Sequence, residues 1–480
     1  MLAELFPYAH QVFVVFTIIY FLTILGIIAV VVSENRNPVK SLAWVTVLLL
    51  VPILGMFLYV FFGRSLKSVH MISRKNRRKL RNSANYTPVD IDKLDLSKEN
   101  LQEVRLVDSL VEPHFFPDNK IDVFTTGKEK FDALEKDLES ATQYIHLQYF
   151  IFENDHIGTK IKDILVRKAH EGVKVRVIYD HVGSFHFNMS FFSDMKKEGI
   201  EVYPFLKVTF PEFANRVNWR NHRKLVVIDG RVGYVGGMNI ADRYVTGEKG
   251  QPAWRDTHLR IEGEAVAGLQ YSFAVDWNFM NRELLKETTV HFKPDESFTD
   301  GMQIMTGGPN NLWKNLSFVL LRAIGSAKRR VWVQTPYFLP NDSLLKALQV
   351  ASLSKIDVQL MIPRKPDSKL LRYATYSYVK ECLLAGIKIF FYETSMLHSK
   401  TVIVDDDFVT TGSTNFDFRS LEHNFECNVL VYGQKFNSRM AAIFEKDKEN
   451  AKHISLVNWH RRPLGQKVLE SMSRLLSPIL

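Results

Sequence analysis

Two segments of this 480-residue chain repeat the same polar residues at the same spacing. The first, HRKLVVIDGRVGYVGGMN, begins at His222, and the second, HSKTVIVDDDFVTTGSTN, begins at His398. The matched residues are His222, Lys224, Asp229 and Asn239 in the first copy and His398, Lys400, Asp405 and Asn415 in the second. The sequence around them has diverged far more than these four positions have. The repeat therefore favours a chemical function for these residues over a purely structural one.

The residue types in each copy suit chemistry at a phosphoryl group. The apolar run after each His reads as a strand, where residues two apart share a face, so each His points with its Lys. Lys is a point charge suited to phosphate, and Asn adds amide donors. One His could attack phosphorus while the other acts as general acid and base on the two alcohols. Lys and Asn would stabilise the phosphoryl oxygens, so we expect neither a metal nor a cofactor.

The segments that must position these residues are duplicated as well. YIHLQYFIFEND, GVKVRVIYD and GIEVYPF precede the first copy, and VWVQTPYFLPND, KIDVQLMIP and GIKIFFY precede the second in the same order. Short β-branched runs that alternate with polar amphipathic stretches are typical of strands alternating with helices. We predict two similar α/β lobes with mixed or largely parallel sheets that form one shared active site. The first spans residues 111–298, and the second spans residues 299–480 and includes a C-terminal helix.

The N-terminal part of the chain is predicted to be a transmembrane hairpin. Residues 12–32 and 42–62 are uncharged apolar runs, and about twenty such residues cross the hydrocarbon core as a helix. A signal peptide is disfavoured because no Lys or Arg precedes the first run and a second run follows at once. We therefore assign residues 1–65 to the hairpin and residues 66–110 to a basic, polar linker.

Lys and Arg residues predict the orientation of this hairpin. None precedes the first run, two lie in the turn, and eight follow the second run, which places that side in the cytoplasm by the positive-inside rule. They are Arg36 and Lys40, then Arg64, Lys67, Arg74, Lys75, Arg77, Arg78, Lys79 and Arg81. We expect a multi-pass protein of the cytoplasmic membrane with both lobes on the cytoplasmic side. The basic cluster could also contact anionic headgroups.

The overall charge and the cysteine count narrow the class of partner. The formal net charge of +10 suits an anionic partner, either a nucleic acid or an acidic membrane surface. The two apolar runs favour lipid over nucleic acid. Cys382 and Cys427 provide neither a disulfide framework nor a metal-ligand cluster. A non-catalytic scaffold is disfavoured because both motifs are intact.

The two motifs resemble the paired HKD motifs of the phospholipase D superfamily, and the resemblance covers both lobes, roughly residues 110–480. It implies a phosphohistidine intermediate on one motif histidine, for which we choose His222, with His398 as the acid and base. It also implies that a downstream carboxylate holds the other ring nitrogen of each histidine. Asp256 and Glu426 fill the matching places.

The resemblance offers two roles for the motif aspartates. Asp229 and Asp405 complete the motif and are kept with the catalytic candidates. In the superfamily such aspartates are more often structural and held by salt bridges.

Within that superfamily the whole chain resembles the bacterial cardiolipin synthases. The similar segments are NPVKSLAWVTVLLLVPILGMFLYVFFG, RNHRKLVVIDGRVGYVGGMNIADRY, QTPYFLPND and WHRRPLGQKVLESMSRLLSPIL. The resemblance implies transfer of a phosphatidyl group between two phosphatidylglycerol molecules, giving cardiolipin and glycerol. Another phospholipase D-type phosphatidyltransferase or hydrolase stays open, and a membrane-tethered nuclease is the more distant alternative. The oligomeric state is not indicated.

Lipid substrates call for a partly dry site beside the bilayer, and three stretches could supply apolar contacts. Ordinary core packing and membrane contact are equally favoured for the first aromatic stretch, Phe185, Phe187, Phe191 and Phe192. A membrane-facing loop is favoured for the second, Phe205, Phe210 and Phe213. For the stripe on the terminal helix, core packing is favoured over interfacial docking. That stripe consists of Leu464, Val468, Met472, Leu475 and Leu476.

We predict that His222→Ala and His398→Ala each reduce phosphatidyl transfer about a thousandfold or more, because both histidines serve one site. The measurement is the rate of label transfer from phosphatidylglycerol. His170→Ala, which lies outside both motifs, is the control. Appreciable turnover by either motif variant would contradict a shared site.

Overall fold

The computed structural model describes residues 9–33, 38–59, 63, 70–83, 89–110, 115–184, 189–208, 218–248, 250–280, 284–285 and 298–477. The chain divides into two compact units. One contains residues 1–66 and 208–218, and the other contains residues 67–207 and 219–480. Both predicted lobes lie in the second unit. The predicted lobe boundary follows residues 286–297, which are outside the described residues.

The first unit contains helices α1 (Ala9–Ser33), α2 (Pro38–Leu50) and α3 (Pro52–Leu58). Among the described residues, α1 is the one helix long and apolar enough to cross a membrane, over Gln11–Val32, in agreement with the predicted first span. The second predicted span is divided between α2 and α3. The division falls at Pro52, which has no amide hydrogen to continue the ladder of α2. Residues 60–62 of that span lie outside the described residues, so the hairpin is seen in part.

The first lobe combines a seven-stranded mixed sheet with flanking helices, as predicted. Its strands are β1 (Asn119–Phe124), β2 (Tyr144–Tyr149), β3 (Lys174–Asp180), β4 (Glu201–Phe205), β5 (Leu225–Ile228), β6 (Val232–Gly236) and β7 (His258–Gly263). Its helices are α6 (Gly127–Glu139), α7 (His156–His170), α8 (Met189–Lys197) and α9 (Val266–Phe279), and a short 3₁₀ helix covers Asp242–Tyr244.

The second lobe has an eight-stranded sheet and a two-stranded ribbon. Its strands are β8 (Gly301–Gly307), β9 (Arg330–Gln334), β10 (Phe338–Leu339), β11 (Asp357–Pro363), β12 (Lys388–Tyr392), β13 (Thr401–Val404), β14 (Phe408–Gly412), β15 (Phe416–Asp417), β16 (Glu426–Tyr432) and β17 (Ala451–Ile454). Its helices are α10 (Asn315–Ser326), α11 (Asp342–Leu353), α12 (Lys369–Leu384), α13 (Phe418–Glu422), α14 (Gln434–Lys448), α15 (Leu456–His460) and α16 (Leu464–Leu475).

The two sheets repeat one topology, as the sequence duplication predicts. The first has the order β1-β7-β6-β5-β2-β3-β4, and the second has β8-β16-β14-β13-β9-β11-β12, with β17 added at the edge. In each sheet the motif strand, β5 or β13, pairs antiparallel to both neighbours. The two strands beyond β2 or β9 are parallel to it. Both motif strands are fully buried, which explains their β-branched sequences LVVI and TVIV.

The segment predicted to be a linker is partly folded into the second lobe. It contains helices α4 (Arg74–Ser83) and α5 (Lys98–Leu110) and a 3₁₀ turn at Ile91–Lys93. Val104 and Val107 of α5 are fully buried in the hydrophobic core of the second lobe. Burial of these two side chains makes α5 a structural element of that lobe, so the linker prediction was wrong for this part.

Three aromatic residues proposed for membrane contact are core residues instead. Phe191 and Phe192 are buried in the core of the first lobe, where Phe192 stacks on Tyr179. Phe205 is fully buried, with its ring 5.2 Å from that of Phe425. Membrane contact is therefore excluded for these three. The other aromatic residues of those stretches, Phe185, Phe187, Phe210 and Phe213, lie outside the described residues.

The apolar stripe of the C-terminal helix is exposed, so the favoured prediction of core packing was wrong. Leu464 and Leu475 on α16 are 77% and 82% exposed, and Met472 is 61% exposed. The periodicity of α16 was read correctly, but the side of the helix that faces the lobe is the polar one.

The motif aspartates end the motif strands and bind the backbone of their own lobe. The Asp229 carboxylate accepts hydrogen bonds from the amides of residues 142–144, each at 2.8 Å. The Asp405 carboxylate accepts from the amides of residues 328–330 at 2.7–3.1 Å. Both aspartates have positive φ, of 51° and 48°, which Asp tolerates better than most residues do. Backbone amides, rather than the salt bridges suggested by the resemblance, are thus their main partners.

We predict that Asp229→Ala destabilises the protein by about 2–4 kcal/mol, because three amides lose a charged acceptor and Ala tolerates the positive φ poorly. Asp229→Asn should cost less, since Asn keeps one acceptor oxygen. Thermal unfolding measures the effect, with Asp163→Ala on the exposed side of α7 as the control. Loss of turnover without loss of stability would restore a catalytic role to Asp229.

Candidate active site

Each motif histidine is held by backbone hydrogen bonds against the other lobe. The amide of His222 donates to the carbonyl of Phe425 at 2.9 Å, and the amide of Phe425 donates to the carbonyl of Arg220 at 2.9 Å. The second motif repeats the arrangement, with His398 donating to Arg255 at 2.6 Å. The two strand-like segments in each case run parallel across the lobe interface. This pairing fixes the register of each motif relative to the lobe that does not contain it.

The carboxylate that orients each histidine comes from the opposite lobe. Nδ1 of His222 lies 3.0 Å from both carboxylate oxygens of Glu426. Nδ1 of His398 lies 2.6 Å from Oδ2 of Asp256. A carboxylate only accepts hydrogen bonds, so each Nδ1 carries the proton and each Nε2 keeps its lone pair. The sequence pointed to both carboxylates but not to this exchange between lobes.

The motif lysines lie beside their histidines, as the strand spacing predicts. Nζ of Lys224 donates to the carbonyl oxygen of His222 at 2.7 Å. Nζ of Lys400 donates to the carbonyl oxygen of His398 and lies 4.0 Å from Oδ2 of Asp256. Both lysines are buried. The two ammonium groups therefore lie in the same buried cluster as the histidine–carboxylate pairs.

Burial keeps both imidazoles in the neutral form. Loss of hydration lowers the pKa of His222, Glu426 opposes this effect, and Lys224 adds to it. Burial, followed by the charge of Lys400, lowers the pKa of His398 to about 3, against the opposing effect of Asp256. Because both values fall below 6.5, the histidines are neutral near pH 7. Nε2 of His398 lies 3.2 Å from Nζ of Lys400. The neutral imidazole of His222, whose Nε2 keeps its lone pair, is in the form that can attack phosphorus.

The lysine cluster is poised to receive negative charge. Burial lowers the pKa of Lys400 to about 8 and holds the pKa of Lys224 well below its usual range. The charge of each lysine also lowers the pKa of the histidine in the other lobe. An anionic phosphate group between these residues would oppose all of these shifts. Binding of a phosphodiester would thus restore charge to the lysines and basicity to the histidines.

The two motif asparagines have different surroundings. Asn239 donates to the hydroxyl of Tyr244 at 3.1 Å, and that hydroxyl lies 3.4 Å from Nδ1 of His398. The amide oxygen of Asn239 accepts from the backbone of Ile151. Asn415 is buried beside Asp417, and its Oδ1 has no hydrogen-bond partner among the described residues. Asn239 belongs to the first motif with His222, but through Tyr244 it helps to position groups around His398 of the other lobe.

The turn after each motif strand is adapted to the carboxylate it meets. A Cβ atom on Gly237 would lie 2.2 Å from Oδ1 of Asp256, so only glycine fits there. Ser413 holds the matching position in the second motif, where its hydroxyl donates to Oε2 of Glu426 and accepts from the amide of Cys427. Glycine leaves room for one carboxylate, and serine fixes the other.

Buried ion pairs support the two motif segments from behind. Arg223, between His222 and Lys224, donates to Asp276 at 2.6 Å, and Gln148 donates to the same carboxylate at 2.5 Å. Asp447 of the second lobe accepts from Gln334 at 2.8 Å and, across the lobe interface, at 2.6 Å from Arg255, whose carbonyl oxygen accepts from the amide of His398. The two glutamines are matched positions of the repeat. Their role as supports of the motifs was not predicted.

Aromatic rings line the histidines and were missed by the sequence analysis. The rings of Trp254, Tyr244 and Tyr337 lie 5.3, 5.9 and 6.5 Å from that of His398. The ring of Phe150 lies 4.9 Å from that of His222. Phe150 and Tyr337 each follow closely after one of the matched glutamines, a signal that could have identified them. Such walls limit the water around the reacting atoms.

The motif aspartates are not part of this cluster. Asp229 lies seven positions after His222, which corresponds to about 20 Å of extended chain, and Asp405 lies seven positions after His398. Because their carboxylates bind backbone amides of their own lobes, we propose a structural rather than a catalytic role for both aspartates. Among the described residues, no group of three or more His, Cys, Asp or Glu side chains is arranged to hold a metal ion.

Comparison with known proteins identifies the family. Residues 134–253 and 320–448 match the family model described as "Cardiolipin synthase, PLD-like domain". The chain is 40% identical to cardiolipin synthase 2 of Bacillus anthracis over 456 residues, which cover 94% of this chain and 89% of that protein. The chain belongs to the cardiolipin synthase family. The resemblance expected from the two motifs is thus confirmed.

Other members and one solved structure agree with this family assignment. The major cardiolipin synthase ClsA of Bacillus subtilis is 38% identical over 479 residues, covering 97% of this chain and 99% of that protein. Residues 18–64 match the family model "Phospholipase_D-nuclease N-terminal". The phosphatidylserine synthase of Haemophilus influenzae has a TM-score of 0.61 at 15% identity, covering 79% of this chain and all of that one. This last likeness shows that the two-lobe fold is shared.

We predict that kcat/KM of this cardiolipin synthase family member falls above about pH 8, where Lys400 loses its charge, and falls on the acid side only below pH 6.5. The acid limb lies at a lower pH than for an ordinary histidine because the pKa values of both histidines are lowered. His222 therefore stays neutral, and able to attack, below pH 6.5. Initial rates in mixed micelles between about pH 5 and 10 test this.

Lys400→Arg is the matched variant for this profile, because arginine stays charged throughout. Its rate should be lower, and its alkaline limb should lose the part that comes from residue 400, which leaves the part that comes from Lys224. Circular dichroism at each pH serves as the folding control. A wild-type profile that stays flat beyond about pH 9.5 would contradict titration of Lys400.

Proposed function

We propose that this chain transfers a phosphatidyl group from one phosphatidylglycerol molecule to another, producing cardiolipin and free glycerol. Family membership makes the chain a phosphatidyltransferase of the phospholipase D type that acts on membrane phospholipids. The observation that carries the proposed chemistry is the pair of cross-lobe histidine–carboxylate contacts, with one lysine beside each histidine.

In the first step, Nε2 of His222 attacks the phosphorus of a bound phosphatidylglycerol. The bond between phosphorus and the headgroup glycerol oxygen breaks, and His398 gives a proton to that oxygen. The product is a phosphatidyl group bound to His222 plus free glycerol. Glu426 supports this step because its carboxylate stabilises the positive charge that develops on the attacked imidazole.

His398 can be protonated, and so act as the acid, only when the negative charge of the substrate is present. In the empty site burial and Lys400 hold the pKa of His398 low. The anionic phosphodiester would offset the charge of Lys224 and Lys400 and raise that pKa toward the neutral range. Substrate binding would therefore create the general acid that the reaction needs. Asp256, hydrogen-bonded to Nδ1, would hold the protonated ring in place.

In the second step, the headgroup hydroxyl of another phosphatidylglycerol replaces glycerol. Neutral His398 takes the hydroxyl proton, the alkoxide oxygen attacks phosphorus, and the bond from phosphorus to His222 breaks. Cardiolipin leaves, and both histidines return to their starting states. The aromatic rings of Trp254, Tyr244 and Tyr337 favour a lipid alcohol over water as acceptor, because they form apolar walls beside His398.

We further propose that the chain spans the cytoplasmic membrane twice, with both lobes on the cytoplasmic side. The length and composition of α1 support the first span. The family match over residues 18–64 includes most of both apolar runs and so supports the second. The excess of Lys and Arg after residue 62 supports the orientation.

We predict that the purified chain converts doubly labelled phosphatidylglycerol in mixed micelles into cardiolipin and an equal amount of glycerol. The labels lie on phosphorus and on the headgroup glycerol, so both products are counted. Denaturation near neutral pH during turnover should leave phosphorus label on the peptide that contains His222. His222→Ala should give neither product nor labelled peptide.

Each other outcome of this experiment would change a different part of the proposal. Phosphatidic acid with glycerol and no cardiolipin would make the chain a hydrolase. Label on the His398 peptide would exchange the roles of the two histidines. Absence of turnover would remove phosphatidylglycerol as donor and direct the assay to other headgroup donors, and then to cleavage of DNA.

A further inference from the structure

Helix α16 faces the second lobe with its polar side and presents its apolar side outward. Glu470 and Ser473 are buried, at 3% and 6% exposure. Leu464, Met472 and Leu475, on the opposite side, are 77%, 61% and 82% exposed. An ordinary surface helix buries its apolar side and exposes its polar side, because removing apolar area from water is stabilising.

Ionic contacts hold α16 in this orientation. The Arg462 guanidinium donates to both carboxylate oxygens of Glu470, at 3.1 and 2.8 Å, and stacks over the ring of Trp459. Arg474 pairs with Glu381 of α12 at 2.5 Å. Because these partners are on the polar side, a rotation of the helix that buried its apolar side would break them. The exposed face is thus a fixed property of the fold.

The charges around α16 complement an anionic surface. Residues 456–477 contain four Lys or Arg residues and a single acidic residue, Glu470. Glu470 is buried in its pair with Arg462, which leaves the surface charge of this segment basic. Arg461 is exposed, and Lys467 is the residue directly before Val468 of the apolar side. An apolar face bordered by basic residues is typical of helices that lie in the interface of anionic bilayers.

A cavity of about 740 Å³ opens beside this helix, between α11, α12 and α16. Lys380 and Lys467 contribute cationic groups to its lining, and Leu475 and Phe418 contribute apolar ones. Phe418 lies three residues after Asn415 of the second motif. Leu475 of the apolar face therefore borders a recess that is lined by apolar, polar and charged side chains, Asp342 among the charged ones, and whose wall includes the segment that follows the motif.

We propose that the exposed face of α16 lies in the headgroup and upper acyl region of an anionic bilayer and holds the second lobe against the membrane. The face consists of Leu464, Val468, Leu469, Met472, Leu475 and Leu476. The inference rests on the proposed function, because a lipid substrate is what requires this lobe to stay at the bilayer. It adds a contact made by the catalytic lobe itself to the membrane association of the N-terminal unit.

The experiment places an environment-sensitive fluorophore on Met472→Cys in the full chain, reconstituted in nanodiscs that contain phosphatidylglycerol. The native Cys382 and Cys427 are buried and should not react. We expect blue-shifted emission and about twofold quenching by lipids with brominated acyl chains. Leu475→Cys, elsewhere on the same face, should behave alike. Asp163→Cys, on the exposed side of α7 in the first lobe, should show neither effect.

If the fluorophore at both helix positions shows neither a blue shift nor quenching by brominated lipid, the proposal is overturned. A blue shift that is insensitive to brominated lipid would overturn it as well, and would assign the face to a protein partner such as a second copy or the N-terminal helices. The same nanodiscs are assayed for cardiolipin. Quenching without cardiolipin formation would reject the proposed function alone, whereas cardiolipin formation without quenching would reject the docking surface alone.

Discussion

The hydrogen bonds from Nδ1 of His222 and His398 to carboxylates across the lobe interface are the contacts on which the rest of the site depends. Two carboxylates and two lysines are buried there together, and each group would be costly alone. Removing one partner of a buried ion pair typically costs about 3–5 kcal/mol. The interface is therefore stable only when both lobes supply their parts. The same contacts set the histidine tautomers, so the interface and the chemistry have one physical basis.

The sequence predicted the duplication, the mixed α/β lobes and the polar groups of the site, because these depend on local patterns. Period-two spacing placed each Lys beside its His, and the resemblance to the phospholipase D superfamily pointed to Asp256 and Glu426. The exchange of these carboxylates between lobes could not be predicted. It follows from how two folded lobes pack, and no local pattern records which strand segment meets which across an interface.

The errors of the sequence analysis have a common physical cause. Amphipathic periodicity shows that α16 has an apolar side, but the buried pair of Arg462 with Glu470 decides which side faces the lobe. Phe205 was assigned to a membrane-facing loop because its stretch contains prolines and leads up to His222, yet it ends strand β4 and packs against Phe425. Val104 and Val107 lie in a basic segment read as a linker, but a hydrophobic core far along the chain covers them. In each case the deciding partner is distant in sequence.

The exchange of carboxylates also bears on how such a chain could arise. Two identical single-lobe molecules related by a twofold axis would already contain both exchanged pairs, so a complete site could precede the fusion of its halves. Fusion then frees each half to change by itself. The two halves now differ at this contact. Gly237 leaves space for the Asp256 carboxylate, whereas Ser413 at the matching position donates a hydrogen bond to Glu426. A symmetric dimer cannot contain both, because one gene would have to encode two different residues at the same position.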